Sequence, residues 1–275
     1  MNNSIKIACL GESKVQQLSH DDGSQSFACF GDVLTTAIYL VRSGLKVSFI
    51  SVLEELSKKI ICKSLQEEGL NTDLVLTDDN HAFFSSDDFE SIQLKLSEFD
   101  FVYLTGNTLL LLDDAGIEKL IQLLVSLRKR GGKVIFDSNH SSKSWSSDEL
   151  ARTVYTKFLR VTDVSLPSFV DEVDLFQDRA VEDLIARHHA LGIREVVVKN
   201  GTEANWLSTK PDKKPREFPL ESIQKAIDNS GVGDAFNAAY LATRLSGQTY
   251  CSSIKQGQLL AAEVVVNSGA ILPNN

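Results

Sequence analysis

Apolar and polar positions alternate along this chain in blocks rather than residue by residue. Six short apolar runs, at 5–11, 46–52, 101–106, 133–139, 161–167 and 195–201, read as strands. Each is continuously apolar, which suits a parallel sheet covered on both faces; a strand with one wet face would alternate. Longer stretches with helical spacing lie between them, at 32–43, 54–68, 113–130, 147–159 and 179–191. Several stop at a glycine (Gly44, Gly69, Gly131 and Gly192), the residue that most easily ends a helix in the left-handed conformation. The strand–helix alternation predicts an α/β fold, a doubly wound, mostly parallel sheet with helices on both faces, in a single domain over residues 1–275. Functional residues of such sheets gather at the carboxyl ends of the strands.

Two polar stretches, about 12–30 and 74–98, interrupt the alternation with short alternating pieces such as DLVLT and HAFFS. They read as surface loops or as a small β-flap over a site. A charged loop at 210–217 separates two further short strands, NWLS and FPL. No internal repeat, low-complexity tract or interdomain linker is visible. Composition changes this picture little: 43% of the 275 residues are hydrophobic and 24% charged, as in ordinary globular chains. The net charge of −9 argues against a general nucleic-acid or membrane binder, so an anionic substrate would need a local basic patch. Cys9, Cys29, Cys62 and Cys251 are far apart, with no CxxC and no zinc spacing, and three of them sit in apolar runs, which predicts buried thiols in a reducing cytosol. The start has no secretion-signal pattern, and no apolar stretch reaches membrane-spanning length.

The chemistry concentrates in DNSGVGDAF, residues 228–236. Gly231 and Gly233 flank one small residue just before Asp234, and an alanine-rich apolar run follows. That spacing reads as a tight loop opening into a helix. Glycines permit the turn and a close ligand approach, and the first amides of a helix attract anions. Asp234 stands where a carboxylate can take a proton from an attacking hydroxyl; the plain alternative is a capped helix start. Asp32, after Gly31, either caps its helix or binds a hydroxyl-bearing ligand. Lys199 ends a strand, as a solvated charge or as a neutraliser of phosphate, and Asn200 with Gly201 reads as a strand-to-strand turn. Asp171 and Glu172 open a helix, where acids are favoured in any case. The histidines carry no metal signature; His188 and His189 are adjacent, point to different sides of their helix and read as surface residues.

The 228–236 segment resembles the C-terminal signature of the ribokinase-like sugar kinases, D-T-x-G-A-G-D-x-F. Asp228, Gly231, Gly233, Asp234 and Phe236 match, and Asn229 and Val232 depart. One branch, the 2-keto-3-deoxygluconate kinases, is similar along nearly the whole chain. FGDVLTTAIYLVR keeps that branch's Gly31, Asp32, Thr36, Ala37, Tyr39, Leu40 and Arg42; YLTGNTLLLL (103–112), FDSNHSSKSW (136–145), LPSFVDE (166–172), VVVKNG and GAILP follow in order. The resemblance implies a ribokinase-like fold and ATP-dependent phosphorylation of a sugar or sugar-acid hydroxyl. It places Asp234 as the base and Gly231, Val232 and Gly233 as the anion hole for the moving phosphoryl group. Gly31, Asp32, Thr35 and Asn139 would face the sugar. Lys199, Asn200, Gly201, Asp228 and Asn267, on the last helix, would face the nucleotide. Asp171 and Glu172 would organise magnesium through water, with a monovalent cation as an optional addition.

The departures from that pattern cluster on the sugar side. Phe30 replaces the first glycine of G-G-D, and Thr35 replaces the asparagine that follows it. N-Y-R-P becomes Asn139-His140-Ser141-Ser142, leaving Lys143 as the nearby base. A Y-W-R lid run has no counterpart, and residues 78–98 are short and acidic. The implied arginine partner of a substrate carboxylate is therefore missing, which predicts weak use of 2-keto-3-deoxygluconate. A kinase for another small alcohol, or a non-catalytic sensor on the same scaffold, remain alternatives. In related kinases the flap often builds the dimer, so a monomer or an altered homodimer is expected.

Overall fold

The computed structural model describes residues 5–19, 24–77, 92, 94–209, 214–221 and 225–274. They fall into two compact units, Met1–Leu94 with Ala226–Asn275, and Lys95–Lys225.

The first unit starts with β1 (Lys6–Leu10), followed by β2 (Lys14–Ser19) and β3 (Gln25–Phe30), then α1 (Asp32–Arg42), β4 (Lys46–Leu53), α2 (Glu55–Glu67) and β5 (Asn71–Thr77). β1 pairs in parallel with β4, and β4 with β5. β2 and β3 form a separate antiparallel pair, so the 12–30 stretch does build a small β-element. The 74–98 stretch divides differently from the expectation. DLVLT belongs to β5, parallel to β4, because Leu74 and Val75 are buried in the sheet's packing. HAFFS lies outside the described residues. Helix α1 is buried at every position from Val33 to Leu40, since β4 and the helix after Gly231 both pack against it.

The second unit contains β6 (Phe101–Thr105), α3 (Gly106–Leu109), α4 (Asp114–Lys129), β7 (Lys133–Asp137), a 3-10 turn (Ser142–Ser144), α5 (Asp148–Leu159), β8 (Val164–Ser165), α6 (Phe169–Phe176), α7 (Val181–Ala190), β9 (Glu195–Val198), β10 (Ala204–Thr209) and β11 (Arg216–Pro219). β6, β7, β8 and β9 run parallel, and β10 and β11 add antiparallel edges. The apolar run at 161–167 yields only a two-residue strand. Asp163 just ahead of it is taken up by Arg128, at 3.0 Å from both Nε and Nη2, and by the Val134 N–H at 3.0 Å. Side chains set the helix starts: Asp113 accepts from the Gly116 N–H at 2.7 Å, and Ser147 from the Leu150 N–H at 3.2 Å.

The chain then returns to the first unit as α8 (Val232–Leu245) and α9 (Tyr250–Val264). The residues beyond α9 are fastened to α1. The Tyr39 hydroxyl donates to the Ala270 carbonyl at 3.0 Å and accepts from the Leu272 N–H at 2.9 Å. Arg42 donates to the Leu272 carbonyl at 2.7 Å and grips Glu68 with two bonds of 2.8 and 2.6 Å. The motif residues Tyr39 and Arg42 thus hold the GAILP segment in place. All four cysteines are free; Cys9 is buried, Cys29 and Cys62 are half-buried and Cys251 is exposed.

Candidate active site

In the first unit the site is built around the turn into α8. Gly231 occupies the N-cap with φ 71, and the first helical bond runs from the Ala235 N–H to the Gly231 carbonyl at 2.8 Å. The backbone amides ahead of Ala235 lie at the helix end, where the helix dipole is positive, and that of Val232 also reaches the Asn229 carbonyl at 3.5 Å. Gly231 is required twice over. Its φ suits glycine, and a Cβ there would stand 2.5 Å from the Ala270 Cβ and 2.8 Å from its Cα. Asp228 braces the same turn: one carboxylate oxygen accepts from the Ser230 N–H (2.8 Å) and the other from the Gly269 N–H (2.9 Å). Those backbone donors hold its carboxyl below the usual range. Asp228 thus shapes the turn rather than being spread toward solvent. Asp234 sits half-buried in the first turn of α8, close enough to Tyr39 for its charge to act on the phenol.

Asp32 is the first residue of α1, and the N-cap is Gly31, so Asp32 makes no side-chain cap. Its Oδ1 instead accepts from the Val33 N–H at 2.7 Å. Gly31 has φ 154, and a Cβ there would lie 2.7 Å from the Glu12 carbonyl oxygen. Thr35, one turn on, is buried in α1. Asn267 lies beyond the end of α9 rather than on it. It is exposed, and its side-chain amide donates to the Glu263 carbonyl at 2.8 Å.

The second unit gathers a polar group at the carboxyl ends of β7 and β9. Lys199 is not a solvated charge: its Nζ donates to Asp137 Oδ2 at 2.6 Å, with the side chains only 13% and 3% exposed. Asp137 also accepts from the Asn139 N–H at 3.2 Å, and Asn139 holds the left-handed φ of 34 that this bend requires. Burial first, and Asp137 next, push the Asp171 carboxyl up to about 7, against the pull of Lys199. Asn200 and Gly201 form the turn between β9 and β10, with Gly201 at φ 56 and the Asn200 amide donating to Glu203 at 2.8 Å.

Asp171 and Glu172 are neighbours in sequence with opposite environments. Glu172 is fully buried, 2.6 Å from Arg187 Nη2 and 3.5 Å from His188 Nε2. Burial alone would raise its carboxyl, but His188 and Arg187 outweigh that and bring it down to about 2. Arg187 is also bound to Asp178 and stacks over Phe176 at 3.8 Å. The histidine pair departs from the surface expectation: His188 is fully buried on the inward face of α7, and His189 bridges the Ile193 carbonyl and the Ser208 hydroxyl, both at 2.8 Å. His140 is buried too, edge-on to Tyr155 at 5.5 Å.

For magnesium, Asp171 is the carboxyl with the suitable placement, half-buried beside Asp137; Glu172 is committed inward to Arg187. No group of three or more His, Cys, Asp and Glu side chains among the described residues could hold a metal alone. Sequence reasoning missed Asp137 and Glu12. Both follow apolar strand runs, in FDSN and CLGES, and that position at a strand's carboxyl end was the available signal.

Residues 39–275 match the pfkB family carbohydrate kinase model. The chain is 31% identical to the 2-dehydro-3-deoxygluconokinase of Dickeya dadantii over 302 residues, covering 97% of this chain and 96% of that protein. It is 32% identical to the 2-dehydro-3-deoxygluconokinase of Escherichia coli K12 over 307 residues, covering 98% of each. Both alignments are longer than this 275-residue chain, so each relative carries residues that this chain lacks. The aminoimidazole riboside kinase of Salmonella enterica, solved with aminoimidazole riboside and an ATP analogue, superposes with a TM-score of 0.81 at 19% identity over 96% of this chain and 94% of that one. That likeness fixes the fold as a ribokinase-like α/β architecture. No described helix is long and apolar enough to cross a membrane. The chain belongs to the pfkB family of carbohydrate kinases.

Proposed function

We propose that this protein transfers the terminal phosphoryl group of ATP to a hydroxyl of a sugar acid, with 2-keto-3-deoxygluconate as the first candidate substrate, and that both units serve one kinase domain. The observation that carries this reading is the turn at Gly231, braced by Asp228 and Ala270 and followed at once by Asp234.

Asp32, with Gly31 and Thr35 in the same motif, orients the sugar hydroxyls, and the resemblance gives Asn139 the same role. Asp234 takes the proton of the attacking hydroxyl, and the amides of Gly231, Val232 and Gly233 stabilise charge on the phosphoryl group as it moves. The chemistry is mainly positioning and electrostatics, as phosphoryl transfer requires. Lys199, Asn200, Gly201 and Asn267 bear on the nucleotide, while Asp228 contributes by holding the turn. Magnesium, held through water by Asp171, would supply positive charge against the phosphates. Glu172 serves that carboxyl indirectly, by anchoring α6 to α7 through Arg187. A monovalent cation is an optional further requirement. The four unpaired thiols favour a cytoplasmic setting, and a monomer or altered homodimer is the expected state.

A second reading, a kinase for a different small polyol, is favoured by one observation. Exposed Ser141 stands where the sugar-acid pattern has its arginine, while His140, in the tyrosine position, packs its ring against Tyr155 and Lys143 is exposed on the 3-10 turn. A coupled ADP-release assay over sugar acids, neutral sugars and nucleosides decides between the readings. Turnover of 2-keto-3-deoxygluconate alone supports the first, turnover of neutral alcohols alone the second, and no acceptor at all refutes both.

A further inference from the structure

Glu12 stands at the carboxyl end of β1, after Gly11, whose N–H is tied to the Ile50 carbonyl at 3.1 Å. Its backbone carbonyl oxygen would meet a Cβ on Gly31 at 2.7 Å, so the absence of a side chain at Gly31 lets the start of α1 settle onto Glu12. This brings the Glu12 carboxyl against that of Asp32. Glu12 Oε2 is buried with no hydrogen-bond partner. Asp32 Oδ1 is engaged by the Val33 N–H at 2.7 Å.

Two adjoining carboxylates in a half-buried place cannot both ionise cheaply, and one shared proton relieves the repulsion. Burial of Glu12 decides which acid keeps it. We propose that Glu12 is a positioning residue for the sugar side of the site, remaining neutral and donating its proton in a hydrogen bond to the Asp32 carboxylate. That bond fixes Asp32 as the charged acceptor for the substrate's hydroxyls and sets which of its oxygens faces them. The inference rests on the Asp32 role given above. Burial and the Asp32 charge push Glu12 up to about 8, with the exposed Lys14 as the opposing cation. The arrangement is therefore intact at neutral pH and fails in mild alkali.

The test is the acceptor KM across about pH 6 to 9.5, bracketing the Glu12 transition, for the wild type, Glu12→Gln and Glu12→Ala. Gln retains a donor but cannot titrate. The wild-type KM should climb as pH passes about 8 while kcat changes less. Gln should flatten that climb. Ala should raise KM over the wild type roughly ten- to hundredfold at neutral pH, the range for losing a charge-assisted hydrogen bond, and the gap should narrow above about 8, where the wild type loses that bond too. Melting temperature against pH supplies a readout without substrate. A carboxyl raised in the folded state stabilises fully below its unfolded value of 4.5 and loses that contribution as pH rises through about 8, so the wild type should lose stability over this window and Gln should not. Normal transfer with coincident wild-type and Gln curves in both measurements overturns the proposal alone. A wild type that phosphorylates no hydroxyl acceptor overturns the kinase reading and the binding half of the proposal with it, and equal melting slopes then remove the shared proton as well.

Discussion

Replacing Gly231 by alanine perturbs the turn at its most crowded point. The residue has φ 71, where a non-glycine costs roughly 1–2 kcal/mol. The added methyl would also stand 2.5 Å from the Ala270 Cβ, 2.8 Å from its Cα and 2.9 Å from its carbonyl oxygen. Ala270 cannot simply retreat. Its carbonyl accepts from the Tyr39 hydroxyl at 3.0 Å, and its neighbour Gly269 is held by Asp228 at 2.9 Å. Forcing a methyl into such a place costs about 1–3 kcal/mol more, and the stiffer unfolded chain returns somewhat under about 1 kcal/mol. The net loss is about 2–4 kcal/mol, a fall in Tm of roughly 5–15 °C for a chain of this size. Gly44 is the internal control: its φ is 85, yet nothing lies within 4 Å of its Cβ position. Gly44→Ala should lose only the backbone term, about 1 kcal/mol. Scanning calorimetry of both variants, with and without Mg-ATP, measures the difference. Gly231→Ala should melt well below Gly44→Ala and gain less from Mg-ATP than the wild type. Equal melting temperatures, or an unchanged Mg-ATP shift in Gly231→Ala, refute the reasoning.

Other expectations follow from the same geometry. Glu172 is depressed in the folded state, so its stabilisation is present above its unfolded value of 4.5 and is lost as pH falls toward about 2. Acid titration followed by circular dichroism should show that loss in the wild type and a weaker one in Glu172→Gln. A Gln variant with the wild-type acid midpoint contradicts the Arg187 and His188 account. Activity on 2-keto-3-deoxygluconate should be weak, and ATP hydrolysis without acceptor measurable, because the lid run and the carboxylate-gripping arginine are absent from the sequence. Tightly coupled, efficient turnover of that acid would show that other groups, such as Lys143 or His140, replace them.

The α/β alternation was legible in the sequence because strands buried on both faces are continuous apolar runs, and their helices end at glycines. The turn at Gly231 was legible for a similar reason: its backbone requirement is local, held in the four consecutive residues GVGD, although its bracing by Ala270 and Gly269 was not. What the sequence hid is non-local. Lys199 meets Asp137 sixty-two positions away, a pairing that no spacing rule announces. DLVLT reads as part of the polar stretch beside it, although its buried Leu74 and Val75 follow the register of β4. His188 is instructive because a signal was present. Val181, Leu184, Ile185 and His188 share the buried face of α7 at helical spacing, so periodicity placed the imidazole inward while its polarity suggested the surface. Asp171 and Glu172 looked equivalent as two acids opening a helix; only the packing of α7 separates the one left half-exposed from the one tied to Arg187.

The central claim is that Asp234, at the mouth of the braced glycine turn, takes the acceptor's proton during transfer from ATP. Phosphorus NMR of product formation, run beside ATP binding by calorimetry, compares the wild type with Asp234→Asn on the best acceptor. The account predicts a phosphorylated sugar from the wild type, a turnover loss of roughly a hundred- to ten-thousand-fold in the variant, and nearly unchanged ATP affinity. An Asp234→Asn enzyme that turns over at the wild-type rate contradicts it.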